Sequence, residues 1–503
     1  MNIKEKRERI PDAMAIYLVA PTEENFNIIK DDINLNNFDN YTLDFIDSVP
    51  DTIFQNFFSE LISTTNQHRI YKICVHPISF MIYHPKVFSL NINNSYKFLN
   101  SPGIKDAEFN SYFEKIGKGI FNVLFNLKTL PIIKYKENWF AESIVSVIQE
   151  SYNITFDKFP ELKEEFPRRN NTLLIILDRD TDLPIMLHHA SSLGSMINDL
   201  FGISRKKSTN NQFEIDPLVD YIWNNYLSTD FPTVHGKISE ELKSIIEQTK
   251  FLDGTSHLNN EVSEVSKQIN STLEGLRDLT LKQNVLKNHA NFAEKLSTEI
   301  KSRFLDKFYD LEYSLLSKRK FSSDLKKKYS DLLVKKSKNP TFQSDCLRII
   351  LMNYLLQNKS STEDLKELES MLDSLELKHD SFEFLKQKKS FEESVKKDNS
   401  GGDSEGNSFF QYISSKSKSI IRGLITSEQP SIIADLVNSL SANKDIPNFV
   451  SYNLIKKSID TKVNTEFSQV IVFLVGGGGL AEFEYLDQLL IQNYKNVNLY
   501  INL

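Results

Sequence analysis

Two apolar runs, far apart in the chain, constrain its fold more than any other feature. Leu173-Leu174-Ile175-Ile176-Leu177 ends in Asp178, Asp180 and Asp182, and Val470-Ile471-Val472-Phe473-Leu474-Val475 ends in Gly476-Gly477-Gly478-Gly479. Short, continuously apolar and β-branched runs with turn residues at their C-terminal ends are the pattern of strands buried on both faces of a parallel sheet. Both therefore predict an α/β scaffold. The question is whether the polar residues at their exits do chemistry or only turn the chain.

The glycines invite a nucleotide reading. Gly476, Gly478 and Ala481 satisfy G-x-G-x-x-A after a buried strand, with a helix predicted over Glu482 to Leu490. The fingerprint also needs an acid at the end of a second strand. The candidate second strand, Val497 to Ile501, offers neither Asp nor Glu. Glycines alone also serve a strand that turns sharply into a tightly packed helix. The aspartates resemble the first motif of aspartate-nucleophile phosphatases, built on Asp178 and Asp180, but Asp182 stands where that motif wants a hydroxyl or small residue. An EF-hand reading lacks its glycine and distal glutamate. His188 and His189 are adjacent, so on a regular element they point apart and do not grip one ion. The expectation is a strand exit and a polar turn, with Asp capping the next helix, and with no catalytic residue, cofactor or metal site.

Composition sets outer limits. The length, 503 residues, predicts about three domains. A net charge of −7 argues against general nucleic-acid binding. Two cysteines, Cys74 and Cys346, in unrelated contexts argue against a disulfide framework or a zinc site and for a reducing compartment. No apolar run approaches the ~20 residues of a membrane-spanning helix, and no signal peptide is evident. The reading is a cytosolic protein.

Ala13 to Val19 predicts a strand. A helix through Ile33 follows, with Thr22 as N-cap and Glu23 and Glu24 in its first turn. Tyr41 to Ile46 predicts a second strand and Ile53 to Ser63 a second helix, the alternation of a parallel domain. From Glu240 to about Val395 the period is helical. Phe304, Phe308, Leu311 and Leu315 define one face of a long hairpin, and Leu325, Leu332 and Leu333 its returning side. Between Lys318 and Lys338 lie nine Lys or Arg and two Asp. Lys396 to Asn407 reads as a flexible linker. The expected division is an N-terminal α/β domain over 1–133, a discontinuous middle α/β domain from 134–235 and 408–503, and a helical domain over 236–395.

Split α/β, helical insertion and enzyme-like motifs that fail together resemble the SM (Sec-one/Munc-eighteen) family of SNARE-assembly proteins, and within it the ER–Golgi branch called Sly-one. The residues that carry this are Ile10-Pro11-Asp12-Ala13-Met14-Ala15-Ile16-Tyr17 with Pro21-Thr22-Glu23-Glu24-Asn25, Pro131-Ile132-Ile133, Leu177-Asp178-Arg179, Asp182-Leu183 and Met186-Leu187-His188-His189. His289-Ala290-Asn291-Phe292-Ala293, Arg348-Ile349-Ile350-Leu351 and Ile471-Val472-Phe473-Leu474-Val475-Gly476-Gly477-Gly478 continue it in family order. Three departures stand out: a helix and two strands that relatives carry before Ile10, Leu193-Gly194 in place of Tyr-Gln, and a C-terminal segment that relatives continue into.

The resemblance implies a three-domain arch, no catalysis, and binding of a syntaxin-type SNARE and of the assembled SNARE bundle in vesicle docking and fusion. The protein would be a monomer in the cytoplasm, peripherally associated with ER and Golgi membranes. Structural membership of a tethering complex is the competing non-enzymatic reading. By resemblance, Ile53, Phe54, Phe57, Phe58, Ile70 and Ile73 line a pocket for a syntaxin N-terminal peptide. Phe57 and Phe58 are adjacent, which leaves one free for it. Phe308, Leu311, Leu315, Lys326, Lys327 and Lys328 belong to a hairpin that takes an R-SNARE. Phe409, Ile413, Ile420, Ile421 and Leu424, interleaved with Lys416, Lys418 and Arg422, form one apolar face, which serves either a membrane contact or a helix packed over the cleft that, by resemblance, the N-terminal and helical domains enclose.

Overall fold

The computed structural model of the protein describes residues 3–5, 8–10, 12–63, 66–101, 103–166, 171–204, 213–254, 262–319, 321–335, 339, 341–357, 362–373, 380–398, 430–460, 466–493 and 497–503. The chain forms two compact units. One comprises Met1–Met81, Asn110–Pro131 and Glu142–Asn170, the other Ile82–Phe109, Ile132–Ala141 and Asn171–Leu503.

In the first unit, β1 (Met14–Val19), β2 (Asn40–Phe45) and β3 (Ile70–Val75) form a parallel sheet in that order. Helices Glu23–Asn34 and Asp51–Ser63 make the crossovers. The first helix begins where its cap predicts: the Thr22 hydroxyl accepts the Asn25 N–H at 3.3 Å, and Glu23 and Glu24 occupy the positive end of the helix dipole. Side chains alternate along β1 as a strand requires. Tyr17 and Val19 point into a core with Phe26, Ile29, Ile33, Leu43, Phe45 and Leu61, whereas Ile16 and Leu18 are 64% and 59% exposed. Elsewhere in this unit Tyr152 joins Phe121 and Phe166 through edge-on ring contacts and donates its hydroxyl to the Thr129 carbonyl at 2.7 Å.

The second unit is built on an eight-stranded sheet. Its centre joins β6 (Ile132–Lys136), β7 (Thr172–Asp178), β12 (Gln469–Val475), β13 (Asn498–Asn502) and β5 (Val87–Ser89), each parallel to the next. β4 (Met81–His84) lies beyond β5 at one edge. At the other, β10 (Phe449–Asn453) runs antiparallel to β6 and carries β11 (Ser458–Ile459). The short pair β8 (Ile203–Ser204) and β9 (Phe213–Glu214) stands apart. The two long apolar runs are direct neighbours, paired from Gln469↔Thr172 to Val475↔Asp178. Leu173 to Leu177 and Val470 to Val475 are all at most 3% exposed, as the continuous apolar runs predict.

Between those two strands the chain inserts helices Phe231–Gly254, Val262–Arg303, Leu305–Lys318, Ser323–Lys335, Phe342–Leu356, Thr362–Asp373 and Asp380–Asp398. The helical stretch thus begins at Phe231, before the expected Glu240. The compact units also divide the chain otherwise than the expected domains. Residues 82–109 join the large sheet, because Val87 and Phe88 add a strand beside Ile501 and Asn502. Residues 142–170 pack with the first unit, and the helical stretch shares one unit with the sheet. Among the described residues, no helix is long and apolar enough to cross a membrane.

Candidate functional site

The exits of β7 and β12 lie side by side, where an α/β enzyme would place its ligand. Here the chain fills that position itself. Arg179, only 2% exposed, forms an ion pair with Glu482, donates to the Asp182 carbonyl, and reaches the Gly477 carbonyl at 3.4 Å. Glu482 also accepts the Gly479 N–H at 2.6 Å, at the start of helix Leu480–Asn493. A helix N-terminus that would receive a phosphate is therefore occupied by a carboxylate of its own first turn. Burial lifts Glu482 to about 7 in spite of Arg179. The glycines answer to close packing. A Cβ on Gly478 would stand 2.2 Å from the Asn502 carbonyl oxygen. One on Gly476, at φ +104°, would stand 2.9 Å from Arg179 Cβ.

The three aspartates diverge. Asp178 accepts the N–H of Asp180 at 2.7 Å and so caps the turn that follows. Asp180 accepts from the Tyr96 hydroxyl at 2.9 Å and from Lys388 at 3.1 Å. Asp182 accepts the Ile432 N–H at 2.8 Å, at the start of helix Ile432–Ser441. Each acid holds a different element to the strand exit, and the nucleophile reading of Asp178 and Asp180 finds no support.

A second polar cluster lies deeper in the same unit, and sequence reasoning missed its centre. Glu312, fully buried, accepts from three directions: the His188 ring at 3.1 Å, the His189 backbone N–H at 2.7 Å and the His189 ring at 2.7 Å. His188 continues to the Tyr485 hydroxyl at 2.9 Å. His189 continues to Asp345 at 3.1 Å, and Asp345 is held by Arg303 at 2.8 and 2.5 Å. The adjacent histidines were expected to point apart. They converge because the segment after Pro184–Leu187 is irregular: His188 leaves a short turn with extended backbone (φ −77°, ψ 131°), so the alternation of a regular element does not apply.

Burial by itself would lower the affinity of His189 for a proton. The charge of Glu312 and bonds to Asp345 and Glu312 outweigh it and lift His189 to about 9. Burial would raise Glu312, but His189 and the bonds from both rings bring it to about 2.

Glu312 sits on the expected hairpin. The long helix Val262–Arg303 breaks at Phe304 (φ +57°), helix Leu305–Lys318 ends at Arg319 (φ +51°), and Ser323–Lys335 returns. Phe308, Leu311 and Leu315 are buried, as are Leu325, Tyr329 and Leu332. These apolar residues close the hairpin on itself and on Phe342, so they are not the surface that meets a partner. The basic residues divide as well. Lys326 bonds Glu367 at 2.7 Å and Lys328 pairs with Asp324 at 3.0 Å, while Lys327 is exposed. A surface cavity of about 590 Å³ opens along the hairpin, lined by Lys307, Tyr309, Tyr313, Lys328 and Asp331 among others.

The six residues expected at a peptide pocket separate in the first unit. Phe57 belongs to the core, 4% exposed and edge-on to Phe26 at 4.8 Å. Phe54 is 36% exposed and contacts the half-buried Phe58 at 4.6 Å. Ile53, Ile70 and Ile73 are half-buried against the same core. Phe54 is therefore the one exposed residue of the six, and Phe58 packs on the core beside it. Phe409, Ile413, Ile420, Ile421 and Leu424 lie outside the described residues.

This arrangement of sheet and helical insertion has counterparts among known proteins. The profile of the Sec1 family matches residues 1–501, and the chain belongs to that family. The SEC1 family transport protein SLY1 of Arabidopsis thaliana is 24% identical over 527 residues, covering 97% of this chain and 82% of its own. Among solved structures, Sly1p in complex with an N-terminal peptide of Sed5p superposes with a TM-score of 0.74 at 20% identity, covering 99% of this chain and 83% of its own. The SM protein Vps45 in complex with the Qa SNARE Tlg2 gives 0.68 at 17%, covering 99% and 85%. The fold is that of the SM proteins.

The Glu312 network carries a signature in pH. His189, raised from 6.5 to about 9, adds stability that is complete below pH 6.5 and fades as pH climbs through 9. Glu312, lowered from 4.5 to about 2, adds stability that is complete above pH 4.5 and fades as pH falls toward 2. Glu312→Gln leaves buried charges short of their partner. It should lower stability by about 3–5 kcal/mol and shrink the decline between pH 6.5 and 9, read by urea unfolding across that range. A mutant with the wild-type decline would show that Glu312 does not hold His189 charged.

Proposed function

We propose that this protein is a non-enzymatic SNARE-binding protein that promotes SNARE assembly in vesicle docking and fusion, in transport between ER and Golgi. It acts from the cytoplasm as a peripheral membrane protein. The observation that carries this reading is continuous Sec1-family likeness over residues 1–501, with the strand exits closed by Arg179, Glu482 and the three aspartates. What remains open for function is surface. Sly1p and Vps45, which share this fold, were solved with a Sed5p N-terminal peptide and with a Qa SNARE.

Two surfaces serve two kinds of partner. The Phe54–Phe58 pair takes an apolar residue of a syntaxin-type N-terminal peptide. Burying one Phe or Leu there contributes about 1.5–3 kcal/mol. The hairpin takes an R-SNARE helix: its buried apolar face keeps the two helices together, and its outer face offers Lys327 and the Tyr309–Tyr313 groove. Basic surface in a chain of net −7 favours an acidic partner and speeds encounter.

Calorimetry with the N-terminal peptide of a syntaxin-type SNARE tests the first surface. Phe58→Asp, with its circular dichroism unchanged, should weaken binding about tenfold or more; unaltered affinity in a folded variant removes the pocket. For the hairpin, the combined change of Lys326, Lys327 and Lys328 to Glu should reduce R-SNARE binding and leave peptide binding as it was. Low salt, where surface charge acts most strongly, is the condition to use. R-SNARE binding that survives there contradicts the assignment.

A further inference from the structure

We propose that Asp44, Cys74 and His76 form a binding site for a transition-metal cation of the zinc type on the outer face of the three-stranded sheet. β2 and β3 are parallel, and Asp44 is the direct partner of Cys74, so both side chains stand on the same face. His76 lies two residues beyond Cys74, and its backbone N–H donates to the Phe45 carbonyl at 2.7 Å, which carries the ladder one step past the strand end. The period of two therefore returns His76 to the face of Cys74. This is the face that also bears Leu18, the β1 partner of Asp44, 59% exposed.

The distances fit the chemistry. Each of the three residues offers one donor atom, and the three atoms lie within 4.8 Å of one another. His76 Nε2 is already 3.3 Å from Asp44 Oδ1. Zinc bonds of about 2.0–2.3 Å place tetrahedral donors roughly 3.3–3.8 Å apart, so side-chain rotation closes the remaining gap. The groups have room for it, with the His76 side chain 47% and the Asp44 side chain 21% exposed. A His–Asp ion pair needs no thiol beside it. A thiolate with an imidazole and a carboxylate is instead a donor set that selects zinc or cobalt over magnesium or calcium. Cys74 is a free thiol of intermediate exposure, open to a cation from solvent. On binding, the Cys74 thiol passes its proton to solvent and the sulfur donates as thiolate, while His76 binds neutral through Nε2. Three protein ligands leave a fourth position for water. The expectation of no zinc site rested on the two cysteines lying in unrelated contexts; the proposed co-ligands of Cys74 lie on the neighbouring strand and just past its own.

Titration of the full chain with Co²⁺ is the test, because a cobalt–thiolate bond gives a charge-transfer absorption that no other ligand here supplies. The expected result is one equivalent bound with that band and with tetrahedral d–d bands, displaced by Zn²⁺ and unaffected by Mg²⁺. Cys74→Ser should abolish the charge-transfer band, and His76→Ala should raise the Kd about tenfold or more. Wild-type protein without the band overturns the proposal, as does a band that persists in Cys74→Ser. Should Cys74→Ser fail to fold, His76→Ala decides: a band of undiminished affinity there overturns the site equally.

Discussion

The carboxylate of Glu312 is the point on which the second unit turns. It is fully buried, yet it is held ionised by two imidazole rings and one backbone N–H within 3.1 Å. Through His188 and His189 it reaches the segment that leaves β7; through Tyr485 the network reaches the helix after β12; through Asp345 and Arg303 it reaches two further helices. A charged cluster of this kind adds little net stability over apolar packing. It does make one arrangement far better than its neighbours, because any shift of the hairpin leaves a buried charge without a partner.

The strand exits repeat the same principle with different residues. Catalysis and tight packing draw on a common vocabulary at the end of a parallel strand: glycine where backbones approach, aspartate where a helix begins, a charged group where a dipole points. In this chain Gly478 makes room for the Asn502 carbonyl, Asp182 caps the helix at Ile432, and Glu482 occupies its own helix start beneath Arg179. Motifs that resemble a phosphatase and a dinucleotide fold are thereby explained by structure.

Local patterns were legible and long-range partnerships were not. The Thr22 cap, the two buried central strands taken singly and the inward face of the hairpin follow from spacing and side-chain type, because they depend on residues a few positions apart. Glu312 was passed over since a lone acid on an amphipathic helix normally faces water, and nothing near it in sequence signals the histidines that bury it. His188 and His189 misled for a related reason: their divergence holds only on a regular element. Phe57 and Phe58 could be separated into one core and one rim residue by adjacency, but only the packing of Phe26 decides which is which. The short strand Val87–Ser89 carries too few residues for a period, and its place beside Asn498–Asn502 moves 82–109 into the larger unit.

Rigid interior and available surface are two sides of one arrangement: a hairpin that is to offer a fixed outer face must be held from within. Hydrogen exchange followed by mass spectrometry on Glu312→Gln, under conditions where the protein stays folded, tests that link most directly. Amides across Leu305–Lys335 should exchange at least about tenfold faster, equivalent to about 1.4 kcal/mol of local stability, while those of Thr172–Asp178 and Gln469–Val475 hold their rates. Unchanged exchange in the hairpin, or loss of protection spread evenly over both strands and hairpin, would contradict it.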